Sequence, residues 1–259
     1  MDFLLSDEQK QLQDLIQQFI QKDYPFDVRE KLVKSEDGFS KEFWKTFSTF
    51  GLLAMPFPEE DGGYNGGPVD IMVILEAFGT GLIVEPYIPN IVLSGNLISN
   101  LGTQDQKDAI LPNLFSGDMH LAFAFAEPQS RFDLNDVTTS AEEDGDNFKI
   151  NGYKSVVMNG PAADKLIVSV RTSGNQLDKS GISLFIVDRD TSGVSLRDYS
   201  NIDGSKASEL TLENVVISNN RSNNSAAISM WNNTFVSFEN VAIVNNINSD
   251  WGGTVFIET

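Results

Sequence analysis

The chain has 259 residues and a formal net charge of −19, from 18 Lys and Arg against 37 Asp and Glu. That surplus repels phosphate backbones and anionic headgroups, which argues against nucleic acid and membrane surfaces as partners. Cysteine is absent and His120 is the one histidine, so disulfides, thiolate metal sites, a cysteine nucleophile and multi-histidine metal centres are excluded.

Hydrophobic residues make up 41% of the chain and aromatic residues 10%, enough for a real core. No apolar run reaches the roughly 18 residues of a membrane span. The N-terminal MDFLLSDEQK carries acids where a signal peptide needs positive charge, so a cytoplasmic location is expected.

Residues 5 to 118 show helical periodicity. Ser6 and Gln9 form a capping box, and Leu12, Leu15, Ile16, Phe19 and Ile20 recur at helical spacing until Pro25. Ser40 opens a second helix, with Phe43, Trp44 and Phe47 on one face and Gly51 as its stop. MPFPEEDGGYNGGP is a long loop, because its prolines and glycines forbid regular structure. Helical runs resume over Asp70 to Phe78 and from about Pro89 to Leu101, with Glu85-Pro86 as a helix end. Thr103 and Gln106 then repeat the capping box.

Near His120 the period changes from 3.6 to 2. HLAFAFAE, FKINGYKSVVM, DKLIVSVRT and GISLFIVDRD alternate like strands, and EEDGDN marks a hairpin turn. His120, at a strand start, is expected to be a partly exposed structural residue. From Asn219 onward asparagine is frequent, lysine is absent and Arg221 is the one cation. LTLENVVISNN recurs as VSFENVAIVNN at an offset of 26 residues, resembling coils of a parallel β-helix. Trp231 and Trp251 are the expected anchors of this tail, and sequons occur at Asn220, Asn223 and Asn232. The expected fold class is therefore α+β. An all-helical domain (1–118) precedes an antiparallel β-barrel-like domain (119–218), and a β-rich repeat tail (219–259) follows.

GTQDQKDAILPNLFSGDMHLAFAFAEP resembles the signature of the acyl-CoA dehydrogenase family, and DNFKINGYKSVVMNGPAADKLIVSVRT resembles its next segment. The likeness runs from about Asp2 to Val216. PFPEEDGG, VEPY and SRFDLNDVTTSA are closest to the branch of the small subunit of pimeloyl-CoA dehydrogenase. The resemblance implies FAD as cofactor, an acyl-CoA substrate dehydrogenated between its α and β carbons, and a large-subunit partner or a homo-oligomer.

Carried over residue by residue, the family pattern places Phe123, Phe125, Ala126, Val156, Val157 and Met158 against the flavin. Phe123 falls where a tyrosine is common. Ala126 keeps an amide but lacks a threonine hydroxyl, and Val156, Val157 and Met158 replace a Trp-Ile-Thr run. Arg131, Phe132 and Asp133 fall at the substrate mouth, where QSRFD replaces a glycine-rich GAGSD. Two local readings stand beside these: Glu127-Pro128 ends a strand and caps a loop, and Arg131 pairs with Glu127, Asp133 or Asp136. The family's catalytic carboxylate, which the resemblance places in a C-terminal helical domain, has no match here, and no metal ligands are assigned. Inactivity of the chain alone is expected. A non-catalytic scaffold or interaction module and a carbohydrate-associated β-helix fragment are the competing classes.

Overall fold

The structure, a computed structural model, describes residues 4–144, 147–217 and 241–243. The hairpin tip at Gly145-Asp146, Trp231, Trp251, the sequons and all of the repeat tail except Val241–Ile243 lie outside the described residues.

Among the described residues six α-helices lead: α1 (Asp7–Asp23), α2 (Phe26–Lys34), α3 (Lys41–Thr49), α4 (Pro68–Gly81), α5 (Asn96–Leu101) and α6 (Gln104–Phe115). The two capping boxes are formed as expected: Ser6 accepts from the Gln9 N–H, and Thr103 from the Gln106 N–H. Pro25 ends α1 but does not end the helical region. It is the N-cap of α2, since proline is tolerated where a helix begins and its amide is not needed. A π-helical segment over Ile88–Gly95 runs directly into α5. Its Asn90 and Ser94 are buried. The aromatic stripe of α3 fills the helical core: Trp44 and Phe47 are fully buried, and Phe47 stacks on Phe78 at 4.9 Å.

The β domain is one curled, mixed sheet. Its strands are β1 (Leu121–Ala124), β2 (Ser140–Asp144), β3 (Asn147–Met158), β4 (Lys165–Arg171), β5 (Ile182–Asp188), β6 (Val194–Ser200), β7 (Lys206–Ile217) and β8 (Val241–Ile243). The order is β6-β7-β3-β2-β4-β5-β8, with β1 beside β4. A purely antiparallel barrel is thus not what forms, because β1 pairs parallel with β4, β2 touches β4 in parallel, and β8 pairs parallel with β5. Hairpins give antiparallel neighbours, whereas β1 reaches β4 only after a long excursion through β2 and β3, and such a crossover permits parallel pairing. Nor does β8 stack on β7 at the 26-residue offset, since its neighbour is β5 and β7 lies between β3 and β6.

Two register shifts in the β3–β7 ladder, at Ile150/Gly152 and Lys154/Val157, bend the sheet. At Gly152 a Cβ would stand 2.4 Å from the Thr139 hydroxyl, so this close approach of β3 to the strand before it requires glycine.

His120 corrects its expectation. It is buried between Phe39 and Trp44, each with its ring 5.2 Å away. Asn90 Oδ1 accepts from the Leu121 N–H at 2.8 Å, which turns the Asn90 amide nitrogen toward His120 Nδ1 at 3.1 Å. Nδ1 is therefore an acceptor and the imidazole is neutral. Burial pulls its pKa from 6.5 down to about 4, with Asp164 opposing. A lowered folded value means that the unfolded chain binds the proton first. Stability is full above about pH 6.5 and falls toward pH 4, by about 3 kcal/mol from this group. NMR titration of the single imidazole should give a folded pKa near 4. Denaturation midpoints should drop between pH 7 and pH 5 in the native protein and less so in His120→Gln, and an ordinary imidazole titration near 6.5 would contradict this.

Candidate functional site

The end of β1 and the end of β3 are drawn together by a single antiparallel bridge, Ala126 to Val156. The Ser155 N–H donates to Ala126 O at 2.8 Å, and the Ser155 hydroxyl donates to the same carbonyl at 3.2 Å. Val156 and Met158 are 40% and 38% exposed, whereas Val157 between them is fully buried in the β core. Alternation along a strand sends neighbours to opposite faces. Val157 can thus offer a ligand only its backbone. The register shift beside Lys154 re-aims this part of β3, leaving two large apolar side chains half-exposed at the strand end. Phe123 and Phe125 are half-buried with ring centroids 4.9 Å apart, and Phe123 also packs on the helical core.

The loop after β1 is held from beneath. Glu127 is buried and forms an ion pair with Lys154 at 2.7 Å, and both side chains are wholly out of solvent. Lys154 also donates to Ser169 at 3.0 Å. The Glu127 carboxylate accepts from Gln129 at 2.8 Å, from the Thr138 N–H at 2.8 Å, from the Thr138 hydroxyl and from the Thr139 N–H at 3.0 Å. Burial alone would raise the carboxyl, but the Lys154 charge and these hydrogen bonds outweigh it and hold the group well below the usual carboxylate range. Burial pushes the Lys154 ammonium down, with Glu127 opposing. Glu127 therefore does more than cap a loop: it fixes both ends of the segment from 127 to 139.

At the tip of that segment Arg131 takes a positive φ of 49° and Phe132 is 98% exposed, with Asp133 exposed beside it. Among the described residues no ion pair involves Arg131. Glu127 is committed to Lys154, and Asp136 accepts from Gln129 and Gln176. The expected local pairing is thus replaced by three side chains presented to solvent.

Asn159 was not foreseen as part of the site. Its φ of 64° turns the chain at the end of β3, and its amide donates to Leu121 O at 3.0 Å, tying β3 to the start of β1. An asparagine directly before Gly160-Pro161 was the available signal, since asparagine tolerates left-handed backbone.

Comparison with known proteins decides the family. Residues 6–118 match the model of the acyl-CoA dehydrogenase N-terminal domain, and residues 122–215 match that of the middle domain. The chain belongs to the acyl-CoA dehydrogenase family. Among curated relatives of the family, the probable acyl-CoA dehydrogenase YngJ of Bacillus subtilis is 30% identical over 83% of this chain and 57% of its own length. A glutaryl-CoA dehydrogenase from Mycobacterium smegmatis, solved in complex with FADH2, superposes with a TM-score of 0.73 at 25% identity, over 83% of this chain and 54% of that one. A chain of the ChsE4–ChsE5 complex from Mycobacterium tuberculosis superposes with a TM-score of 0.74 at 25% identity, over 84% and 56%. The chain thus spans little more than half the length of these relatives.

Proposed function

We propose that this chain is a FAD-dependent acyl-CoA dehydrogenase subunit that supplies part of the flavin and acyl-CoA site. The observation carrying this reading is the half-exposed apolar face of Val156 and Met158 beside the Ala126 bridge. A flat aromatic ring system needs such a wall, and polar side chains are few there, so its polar edge falls to backbone groups near Ala126 and Met158. The residues fit a flavin in that sense. When bound, FAD supplies the hydride acceptor for α,β-dehydrogenation. The protein's part is to set the wall, shield it from water and hold the loop at the substrate mouth. Arg131, Phe132 and Asp133 are assigned to the CoA side of that mouth because they project freely from an anchored loop.

A second chain, a larger dehydrogenase subunit or another copy, completes the site in this proposal, in line with the two-chain complex among the structural relatives. A cytoplasmic location is part of this proposal; among the described residues no helix is long and apolar enough to cross a membrane. A preference for pimeloyl-CoA rests on the short motifs named above.

Visible absorbance of the purified protein with added FAD, after removal of free cofactor, tests the reading. A retained flavin band supports it, whereas no FAD binding, alone or with an acyl-CoA, favours a non-catalytic scaffold. The placement has its own test. Ala126→Thr and Met158→Thr should each tighten FAD binding by one hydrogen bond, about 0.5–1.5 kcal/mol. Unchanged or weaker affinity in both would move the flavin elsewhere.

A further inference from the structure

A cleft of about 430 Å³ lies where the helices meet the sheet, with Phe39, Phe78 and Glu85 in its buried lining. One of its sides is the turn between β6 and β7, through Asp203, Ser205 and Lys206. The base of that turn is firmly held. Ser200 and Lys206 form the last pair of the β6–β7 ladder, and the Asn159 N–H donates to Lys206 O at 3.1 Å. Beyond this pair none of residues 201–205 is buried, and Ile202 at the tip is fully exposed.

The tip is nevertheless a formed unit. The Asn201 N–H donates to Ser205 O at 2.8 Å and the Gly204 N–H to Asn201 O at 3.1 Å. Asp203 Oδ1 accepts from the Ser205 N–H at 2.9 Å and from its hydroxyl at 2.7 Å.

Among the described residues, the hydrogen bonding that joins this tip to the helical domain comes from Arg29 of α2. Its Nη2 donates to Asp203 O at 2.7 Å and its Nε to Leu82 O at 2.9 Å. Nε and Nη2 form one edge of a rigid planar fork, so the two carbonyls are held at a fixed separation. Leu82 is the C-cap of α4, where exposed helix carbonyls favour a cation. Packing adds a close approach but no inserted side chain. Gly204, at a φ of 92°, passes so near Val33 that a Cβ would stand 2.6 Å from its Cγ1.

We propose that the β6–β7 turn is a hinged strap closing this side of the cleft, with Ser200 and Lys206 as hinge and Arg29 as latch. A formed tip on a fixed base, held by a polar clasp and not by buried apolar surface, can swing without unfolding. When Arg29 releases Asp203 O, water replaces the lost partner at the surface, so the open form lies close in free energy to the closed one. The Arg29 bond to Leu82 stays, since both belong to the helical domain. Opening therefore carries Asp203 and Ser205 away from α2 and widens the cleft. The latch sets that width whatever occupies the cleft, and it is independent of the function proposed above.

The chain has no cysteine, so spin labels can be placed without background. Labels on Asp14→Cys in α1 and Ile202→Cys at the tip report the distance from helical domain to strap, by double electron–electron resonance on the full chain. With Arg29 intact, one dominant distance is expected. Arg29→Met keeps the stem but removes the donors, and should raise the ratio of open to closed strap about tenfold, seen as a second distance. Arg29→Lys keeps the charge on a single-point donor and should fall between the two. Amide exchange at Gly204 and Ser205 should be unchanged in both variants, because their bonds lie within the tip. An unchanged single distance in Arg29→Met would overturn the latch. Faster exchange at those two amides would show a turn that melts, and would overturn the hinged strap. Should Arg29→Met fail to fold, Arg29→Lys decides by the same two readouts.

Discussion

Replacing Glu127 by leucine should destabilise the protein by about 3–5 kcal/mol, the penalty for leaving a buried partner uncompensated. The two halves of the pair are not equivalent. Without Glu127, the acceptor left to Lys154 among the described residues is Ser169. Without Lys154, Glu127 still accepts from Gln129, Thr138 and Thr139. Lys154→Met should therefore cost less than Glu127→Leu. The double variant should regain much of the loss, since apolar groups of similar volume satisfy a buried site as well as an ion pair does. Denaturant midpoints at pH 7 measure all three. In Glu127→Leu, hydrogen exchange at the Thr138 and Thr139 amides should quicken, because their acceptor is gone, and FAD affinity should fall with the loosened loop. A single-variant cost under about 1 kcal/mol would show that the pair does not hold this loop.

The same pair sets an acid limit. A carboxyl held below its ordinary value contributes stability above its unfolded pKa and loses it as the pH falls through the folded one. This loss runs from about pH 4.5 down to about 2 and overlaps the His120 window only at its foot, so the two groups largely separate on the pH axis.

The second large effect concerns turnover. The 259-residue chain, reconstituted with FAD and no other protein, should show no measurable acyl-CoA dehydrogenation. Abstraction of the α proton needs a free carboxylate within hydrogen-bond reach, and losing such a base costs about 10²–10⁴-fold in rate. The two buried carboxyls nearest the proposed site do not qualify. Glu127 is neutralised by Lys154, and Glu85 is driven toward its acid form. In the proposed assembly a second chain brings the base. Anaerobic loss of flavin absorbance on adding a panel of acyl-CoA thioesters would overturn this expectation. Recovery of bleaching on adding a dehydrogenase subunit would support it.

Local chemistry made much of the fold legible. The capping boxes at Ser6 and Thr103, the aromatic stripe of α3 and the alternation that begins at Leu121 are decided within a few residues, and all four segments adopt the expected structure. The motifs around Glu127-Pro128 likewise pointed to the family that the domain models confirm. Pro25 stops α1 as expected, but the local rule left α2 unseen, because a proline that ends one helix serves equally at the start of the next.

The rest was decided by contacts between residues far apart in the chain. A lysine in a strand is ordinarily a solvent-facing residue, and nothing near Lys154 marks it as buried. Its burial depends on Glu127, 27 residues earlier, folding back beside it. His120 is neutral because Asn90 and the rings of Phe39 and Trp44 close around it, and Glu85 lies on a cavity that exists only where the helices meet the sheet. Mixed pairing in the sheet was equally hidden, since alternation assigns a strand's faces but not its neighbours. Side-chain type and period thus determined the elements and the family, while burial, partner choice and protonation state were set by tertiary packing, because each depends on which distant groups replace water.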